Sequence, residues 1–143
     1  MNNVNSNASR IGKGVNTMAR ETIHTDRAPK AVGPYVQAVK TGGMIYCSGQ
    51  LGLNPADGTL AEGVEAQAHQ SLKNLGEVLK EAGSDYSKIV KTSIFLADMN
   101  DFSVVNEVYK SYFTEAFPAR SCVQVAKLPL GGLVEIECIA TED

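Results

Sequence analysis

The sequence is poor in the residues that carry metal and redox chemistry: three cysteines and two histidines among 143 residues. Cys47, Cys122 and Cys138 are an odd set at wide spacing, with no Cys-x-x-Cys, and His24 and His69 stand far apart. A disulfide framework and a zinc site are thereby excluded as organising features, and a reducing compartment is the natural setting. No metal site and no cofactor are expected. Tryptophan is absent, and 13 Lys and Arg stand against 16 Asp and Glu, a net charge of −3. A general nucleic-acid binder needs a basic face to neutralise phosphates, so the balance argues against nucleic acid as a partner. No apolar run reaches the roughly 20 residues that a membrane helix needs. What remains, 43% hydrophobic and 20% charged, is the composition of one globular domain with its own core.

Residues 1–22 differ from the rest. Val4, Ala8, Ile11, Val15 and Met18 recur at helical spacing, with Arg10, Lys13 and Arg20 between them and no acid before Glu21. That pattern fits either a mitochondrial-type presequence or a polar extension, and Gly12 and Gly14 favour the extension. The expectation is an N-terminal extension over 1–22 and a single domain over 23–143, working in the cytoplasm, or in the mitochondrion if the presequence reading holds.

The domain's pattern alternates strands and helices. A first strand is expected near residues 20–25. Tyr35 to Val39 reads as a second, Thr41-Gly42-Gly43 as a hairpin turn, and Met44 to Ser48 as the returning strand, ended by Gly49. Val64, Ala68, Leu72, Leu75, Leu79 and Ala82 form one apolar helical stripe, stopped by Gly83. His69 on that helix is expected to face solvent. Ile89 to Leu96 is β-branched and aromatic, hence a strand. Asn100 or Asp101 is placed to cap a second helix with the stripe Phe102, Val105, Tyr109 and Tyr112 or Phe113. Two final strands, 120–127 and 133–141, flank Leu128-Pro129-Leu130-Gly131-Gly132; that glycine pair follows no strand-to-helix turn and is no phosphate cradle. The order β-β-β-α-β-α-β-β predicts an α+β domain, one sheet with two helices on one face.

Side chains alternate along strands, which sorts the last two. Val134, Ile136, Cys138 and Ala140 share an apolar face suited to the helices; Leu133, Glu135, Glu137 and Ile139 share the other. In the preceding strand Val123 and Val125 oppose Arg120, Cys122, Gln124 and Ala126. Turning both apolar sets toward the helices collects Arg120, Cys122, Gln124, Glu135 and Glu137 on the opposite, mixed face. Two helices cannot cover both faces, so the mixed face meets water or another subunit. From alternation alone Arg120 reads as an interfacial ion-pair partner of Glu135 or Glu137.

Phe117-Pro118-Ala119-Arg120-Ser121-Cys122-Val123, taken with Gly33-Pro34-Tyr35, Ser48-Gly49-Gln50, Val90-Lys91-Thr92, Asn100-Asp101-Phe102 and Val134-Glu135-Ile136-Glu137, closely resembles the reactive intermediate deaminase (Rid, or YjgF) family and its RidA subgroup over about residues 22–141. The resemblance implies a chorismate-mutase-like fold with a mixed sheet, assembled as a homotrimer around a central β-barrel, with clefts between subunits. It also implies hydrolysis of 2-iminopropanoate and 2-iminobutanoate to 2-keto acids and ammonia, which protects pyridoxal-phosphate enzymes from enamine and imine damage.

On that resemblance Arg120 holds the substrate carboxylate, for which a planar, permanently charged guanidinium is suited. Glu135 positions or activates water, and Tyr35, Ser48, Gly49, Asn106 and Cys122 line the cleft. Cys122 needs no nucleophilic role, since imine hydrolysis requires no covalent intermediate. Glu137 is expected to be structural, and Cys47 and Cys138 to be core residues. The link 114–117 is shorter than in many members and bears on the size of substrate admitted. A competing reading keeps the trimeric clefts but makes them a non-catalytic module for small 2-keto acids or related carboxylates. A ribonuclease, an activity attached to some relatives, lacks here a histidine pair and an aromatic RNA platform.

Overall fold

The protein is described by a computed structural model over residues 19–143; the presequence question falls on residues outside these. The elements are β1 (Glu21–Ile23), β2 (Ala38–Thr41), β3 (Met44–Leu51), α1 (Val64–Glu81), β4 (Ile89–Leu96), α2 (Phe102–Lys110), β5 (Ala119–Gln124) and β6 (Val134–Thr141). The strands form one six-stranded sheet in the order β1-β2-β3-β6-β4-β5. Only β4 and β5 run parallel; the other pairs are antiparallel. The sheet is therefore mixed, and β5 is an edge strand.

The core lies between the helices and one face of the sheet. Ala68, Leu72, Leu75, Val78 and Leu79 of α1 and Val105, Val108 and Tyr109 of α2 pack on Ile45, Cys47, Ile94, Val134, Ile136, Cys138 and Ala140. Burying a Leu or Ile side chain fully contributes about 2 kcal/mol, and α1 alone supplies Leu72, Leu75 and Leu79 with no exposed surface. The same helix carries a polar row that hydrophobic periodicity does not reveal. Gln67, Ser71 and Asn74 are all buried. Ser71 donates to the Gln50 carbonyl at 2.7 Å and Asn74 to the carbonyls of Leu51 and Leu53, while Gln67 accepts from the Leu133 N–H at 2.8 Å. These bonds satisfy backbone carbonyls at and just beyond the end of β3 and the N–H that leads into β6. The helix comes so close that a Cβ on Gly52 would sit 2.5 Å from the Gln67 Cα.

Several boundaries differ from expectation for local reasons. The second strand starts at Ala38, not Tyr35, because buried Gln37 turns to knit the preceding loop. Its side chain accepts from Thr25 N at 2.7 Å and donates to the Thr25 and Pro29 carbonyls. Gly49 does not end β3; a register shift between Cys47 and Gln50 absorbs it and the strand runs on to Leu51. The hairpin turn does fall at Gly42 and Gly43, with φ of 57° and 81°. The second helix is entered through a short 3₁₀ turn, Met99–Asp101. Asp98 caps that turn by accepting from Asn100 N at 2.9 Å, while Asp101 makes no capping bond. Asp98 is where the backbone is still extended, which a cap requires. β5 stops at Gln124, whose side chain accepts from Met99 N at 2.7 Å. His69 is half-buried and its Nδ1 bonds the Tyr112 hydroxyl at 2.9 Å, so it does not simply face solvent.

The largest correction concerns the faces of β5. Arg120 and Cys122 do not join Glu135 and Glu137. The parallel register sets Arg120 beside Thr92, Cys122 beside Ile94 and Gln124 beside Leu96, all residues of the helix-facing side. Val123 instead lies beside Phe95 on the open face and is 48% exposed. Alternation fixes which residues share a face but not which face is inward. At an edge strand an apolar residue need not win the inner position, because the second helix offers Arg120 polar and aromatic contacts there.

Candidate functional site

One cluster is built where β5 meets α2. Phe102, Asn106 and Tyr109 fall at i, i+4 and i+7 and therefore share one side of the helix. The Arg120 guanidinium donates from Nη1 to the Asn106 Oδ1 at 2.7 Å. Its Cζ lies 5.5 Å from the Phe102 ring centre and 5.1 Å from that of Tyr109, within cation–π range. Among the described residues no carboxylate pairs with Arg120. The ion pair with Glu135 or Glu137 suggested by alternation is thus absent within the protomer. A cleft of about 330 Å³ opens beside the guanidinium, walled by Asn106, Tyr109, Phe117 and Pro118 together with Glu107 and Lys110, which pair with each other at 3.7 Å. Its volume suits a small ligand. Cys122, two residues along the same side of β5, is half-buried. Burial pushes its thiol above the usual value, with Arg120 pulling the other way. A thiol held protonated is a lining group and a weak donor, not a ready nucleophile.

A second cluster lies on the open face, around the irregularity in β3. Glu135 is on β6 directly opposite Leu51. Burial raises its carboxyl above the usual carboxylate range, and neighbouring Glu137 raises it further. Gly49 is packed against it: a Cβ there would meet the Glu135 Cδ at 2.9 Å and Oε2 at 3.0 Å. A side chain at this position would push the Glu135 carboxyl aside, so the glycine leaves that carboxyl its place. Ser48 donates its hydroxyl to the Val36 carbonyl at 2.6 Å, and its N–H to the Gln37 carbonyl at 2.9 Å. Its proton is therefore engaged, and its evident work is to tie down the loop carrying Tyr35. Tyr35 is 51% exposed, free to meet a ligand or another chain.

The structure thus brings Ser48, Gly49 and Glu135 into one neighbourhood, with Tyr35 on the loop that Ser48 ties down, and Asn106, Arg120 and Cys122 into another. They lie on opposite faces of the sheet, with β4 between β6 and β5. Thr92, Phe102 and Tyr109 were legible in the sequence only as strand and core residues. The signal that could have found them is the spacing of Asn106 inside the apolar stripe. Among the described residues no group of three or more His, Cys, Asp or Glu is placed to hold a metal ion, and no helix is long and apolar enough to cross a membrane. Cys47 and Cys138 are buried and directly opposite each other on β3 and β6.

Comparison with known proteins bears on what these clusters do. A family model described as endoribonuclease L-PSP matches residues 25–142. The 2-iminobutanoate/2-iminopropanoate deaminase of Mus musculus is 54% identical over 129 residues, covering 90% of this chain and 96% of the relative. The chloroplastic Reactive Intermediate Deaminase A of Arabidopsis thaliana is 52% identical over 132 residues, covering 92% of this chain and 71% of the relative. Among solved structures, E. coli TdcF with bound serine superposes with a TM-score of 0.83 at 43% identity, covering 86% of this chain and 99% of that one. Sequence and fold agree along nearly the whole described domain, and this chain belongs to the Rid family.

Proposed function

We propose that this chain is a hydrolase that deaminates small reactive 2-imino acids, 2-iminopropanoate and 2-iminobutanoate, to 2-keto acids and ammonia. The observation that carries the reading is Arg120, fixed by Asn106 and two aromatic rings, with no acidic partner among the described residues and a small cleft beside it. An arginine so held is prepared for a carboxylate supplied from outside. The names of the mouse and plant relatives support the same chemistry.

In this reading Arg120 takes the substrate carboxylate and Cys122 lines the cleft. Water adds to the imine carbon, and Glu135 accepts its proton. The raised carboxyl of Glu135 suits a base that must also give that proton up. Glu135 gives that proton to the nitrogen, making a carbinolamine; the hydroxyl proton then passes to the same nitrogen, the C–N bond breaks, ammonia leaves and the carbon becomes a ketone. Water supplies the oxygen and the hydrogens balance, so no cofactor is required. Clearing such imines protects the pyridoxal-phosphate enzymes that release them.

Arg120 and Glu135 lie on opposite faces of one sheet, so a site using both takes them from different subunits. A homotrimer whose open sheet faces meet in a central barrel supplies that arrangement. It would also cover Tyr46 and Val123, both nearly half exposed here. Tyr35, Ser48, Gly49 and Glu135 of one subunit then face Asn106, Arg120 and Cys122 of the next. The sheet already takes in Glu21 and Thr22, which pair with Lys40 and Val39, and an aqueous compartment such as the cytoplasm suits the domain. Nuclease chemistry finds little support: His24 pairs with Asp26 and His69 with Tyr112, each away from Arg120.

The test is a coupled assay. An amino-acid oxidase generates the imine, semicarbazide competes for it, and the loss of semicarbazone is timed. Wild-type protein is expected to hasten keto-acid release. Arg120→Ala should lower kcat/KM at least about a hundredfold, the scale of losing a desolvated charge pair worth roughly 3 kcal/mol. No acceleration by the wild-type protein would sink the reading.

A further inference from the structure

The geometry points to Tyr109, with Phe102 and Thr92, as positioning residues that set the pose of Arg120. This rests on the reading of Arg120 as the carboxylate ligand. A free arginine side chain samples many rotamers, and ordering it on binding subtracts from affinity. Here much of that ordering is done in advance. Asn106 fixes one nitrogen of the guanidinium, and the Phe102 and Tyr109 rings support its carbon.

Tyr109 is more than a core residue because its position is set from the strand side as well. It is 4% exposed, and its hydroxyl shares a 2.7 Å hydrogen bond with the Thr92 Oγ1, a side chain with no exposed surface. Thr92 is also the in-register neighbour of Arg120 across β4 and β5. The contacts close a ring: β4 holds Thr92, Thr92 holds the Tyr109 hydroxyl, the Tyr109 ring supports Arg120, and Arg120 returns to the strand beside Thr92. Burial keeps the hydroxyl protonated, against the weaker opposing influence of Thr92 and Arg120. The platform is therefore neutral and does not compete with the substrate for the cation. Phe113 backs the Tyr109 ring at 4.7 Å, which limits its room to tilt away.

A core residue and a positioning residue predict different kinetics. Losing a core contact lowers Tm and leaves the KM of the remaining folded enzyme alone. Loosening Arg120 raises KM and weakens carboxylate binding in protein that is still folded. Tyr109→Leu keeps an apolar side chain and removes the ring. Phe102→Leu does the same at a half-buried position where folding is less exposed to risk. The double variant Thr92→Val with Tyr109→Phe removes both hydroxyls together, so neither is left buried without a partner.

The measurements are KM and kcat for 2-iminobutanoate, Tm, and the Kd of 2-oxobutanoate, the stable product, as a probe of carboxylate capture. Either ring variant should raise KM and Kd about tenfold, with kcat within about threefold of wild type. The double variant should raise both by a smaller factor, about threefold, at nearly unchanged Tm. KM and Kd within twofold of wild type in folded Phe102→Leu and in the double variant would overturn the proposal. A wild-type protein that binds 2-oxobutanoate but does not hasten imine hydrolysis refutes the deaminase reading, while the Kd series still decides the platform. A wild-type protein that does neither refutes both.

Discussion

The two faces of the sheet carry opposite halves of a charge-recognition problem. At the β5 edge, on the helix side, a cation stands among aromatic rings with no acid paired to it among the described residues. On the open face two carboxylates stand on one strand, and burial together with their mutual repulsion raises the carboxyl of Glu135. Each half is electrostatically incomplete, and each is held by its own scaffold: α2 for Arg120, the irregular stretch of β3 for Glu135. Under the proposed function, the complement of each half arrives from outside the protomer.

The sharpest way to break this comparison is subunit mixing. Arg120→Ala and Glu135→Gln should each be nearly inactive alone. If the two residues come from different subunits, unfolding and refolding the variants together rebuilds some sites with both groups intact. Random assortment in a trimer restores about a quarter of wild-type activity. No recovery in a mixture shown by mass spectrometry to contain mixed trimers would mean that one subunit supplies both groups.

Gly49→Ala probes the open-face half without touching the other. The added Cβ meets the movable end of Glu135 and no backbone atom. Tm should change little, while kcat falls about tenfold because the base is displaced. An unchanged kcat would show that the position of Glu135 is not critical. The smallest expected effect is a pH shift in Glu137→Gln. Glu135 works as a base only when ionised, so activity should fall as pH drops through its raised value. Removing the neighbouring charge lets Glu135 ionise at lower pH, and the acid limb of the kcat profile moves down. The limb persists, because burial is the larger cause of the raised value. An acid limb that stays in place would exclude coupling between the two carboxylates.

Elements with strong periodicity were legible before any coordinates. The stripe from Val64 to Ala82 and the run from Ile89 to Leu96 became α1 and β4, since burying those apolar rows is the dominant local drive. Boundaries set by side-chain hydrogen bonds were not. Gln37 and Gln124 bond backbone N–H groups 12 and 25 residues away, and Asp98 caps through the Asn100 N–H two residues on; hydrophobic periodicity encodes none of these partners. The candidate residues were legible through resemblance, but their grouping was not. Alternation along β5 gave the parity of Arg120 and Cys122 correctly and the wrong face.

The sequence by itself determined the six strands, two helices and apolar core, because those depend on spacing within short stretches of chain. It also determined which side chains travel together: Arg120 with Cys122, and Glu135 with Glu137. Only the tertiary structure decided which way each pair faces. That choice depends on what lies opposite, and for Arg120 the deciding partners are Phe102, Asn106 and Tyr109 on a different element. An edge strand has little apolar packing to fix its orientation, so a hydrogen bond and two rings are enough to turn an arginine inward.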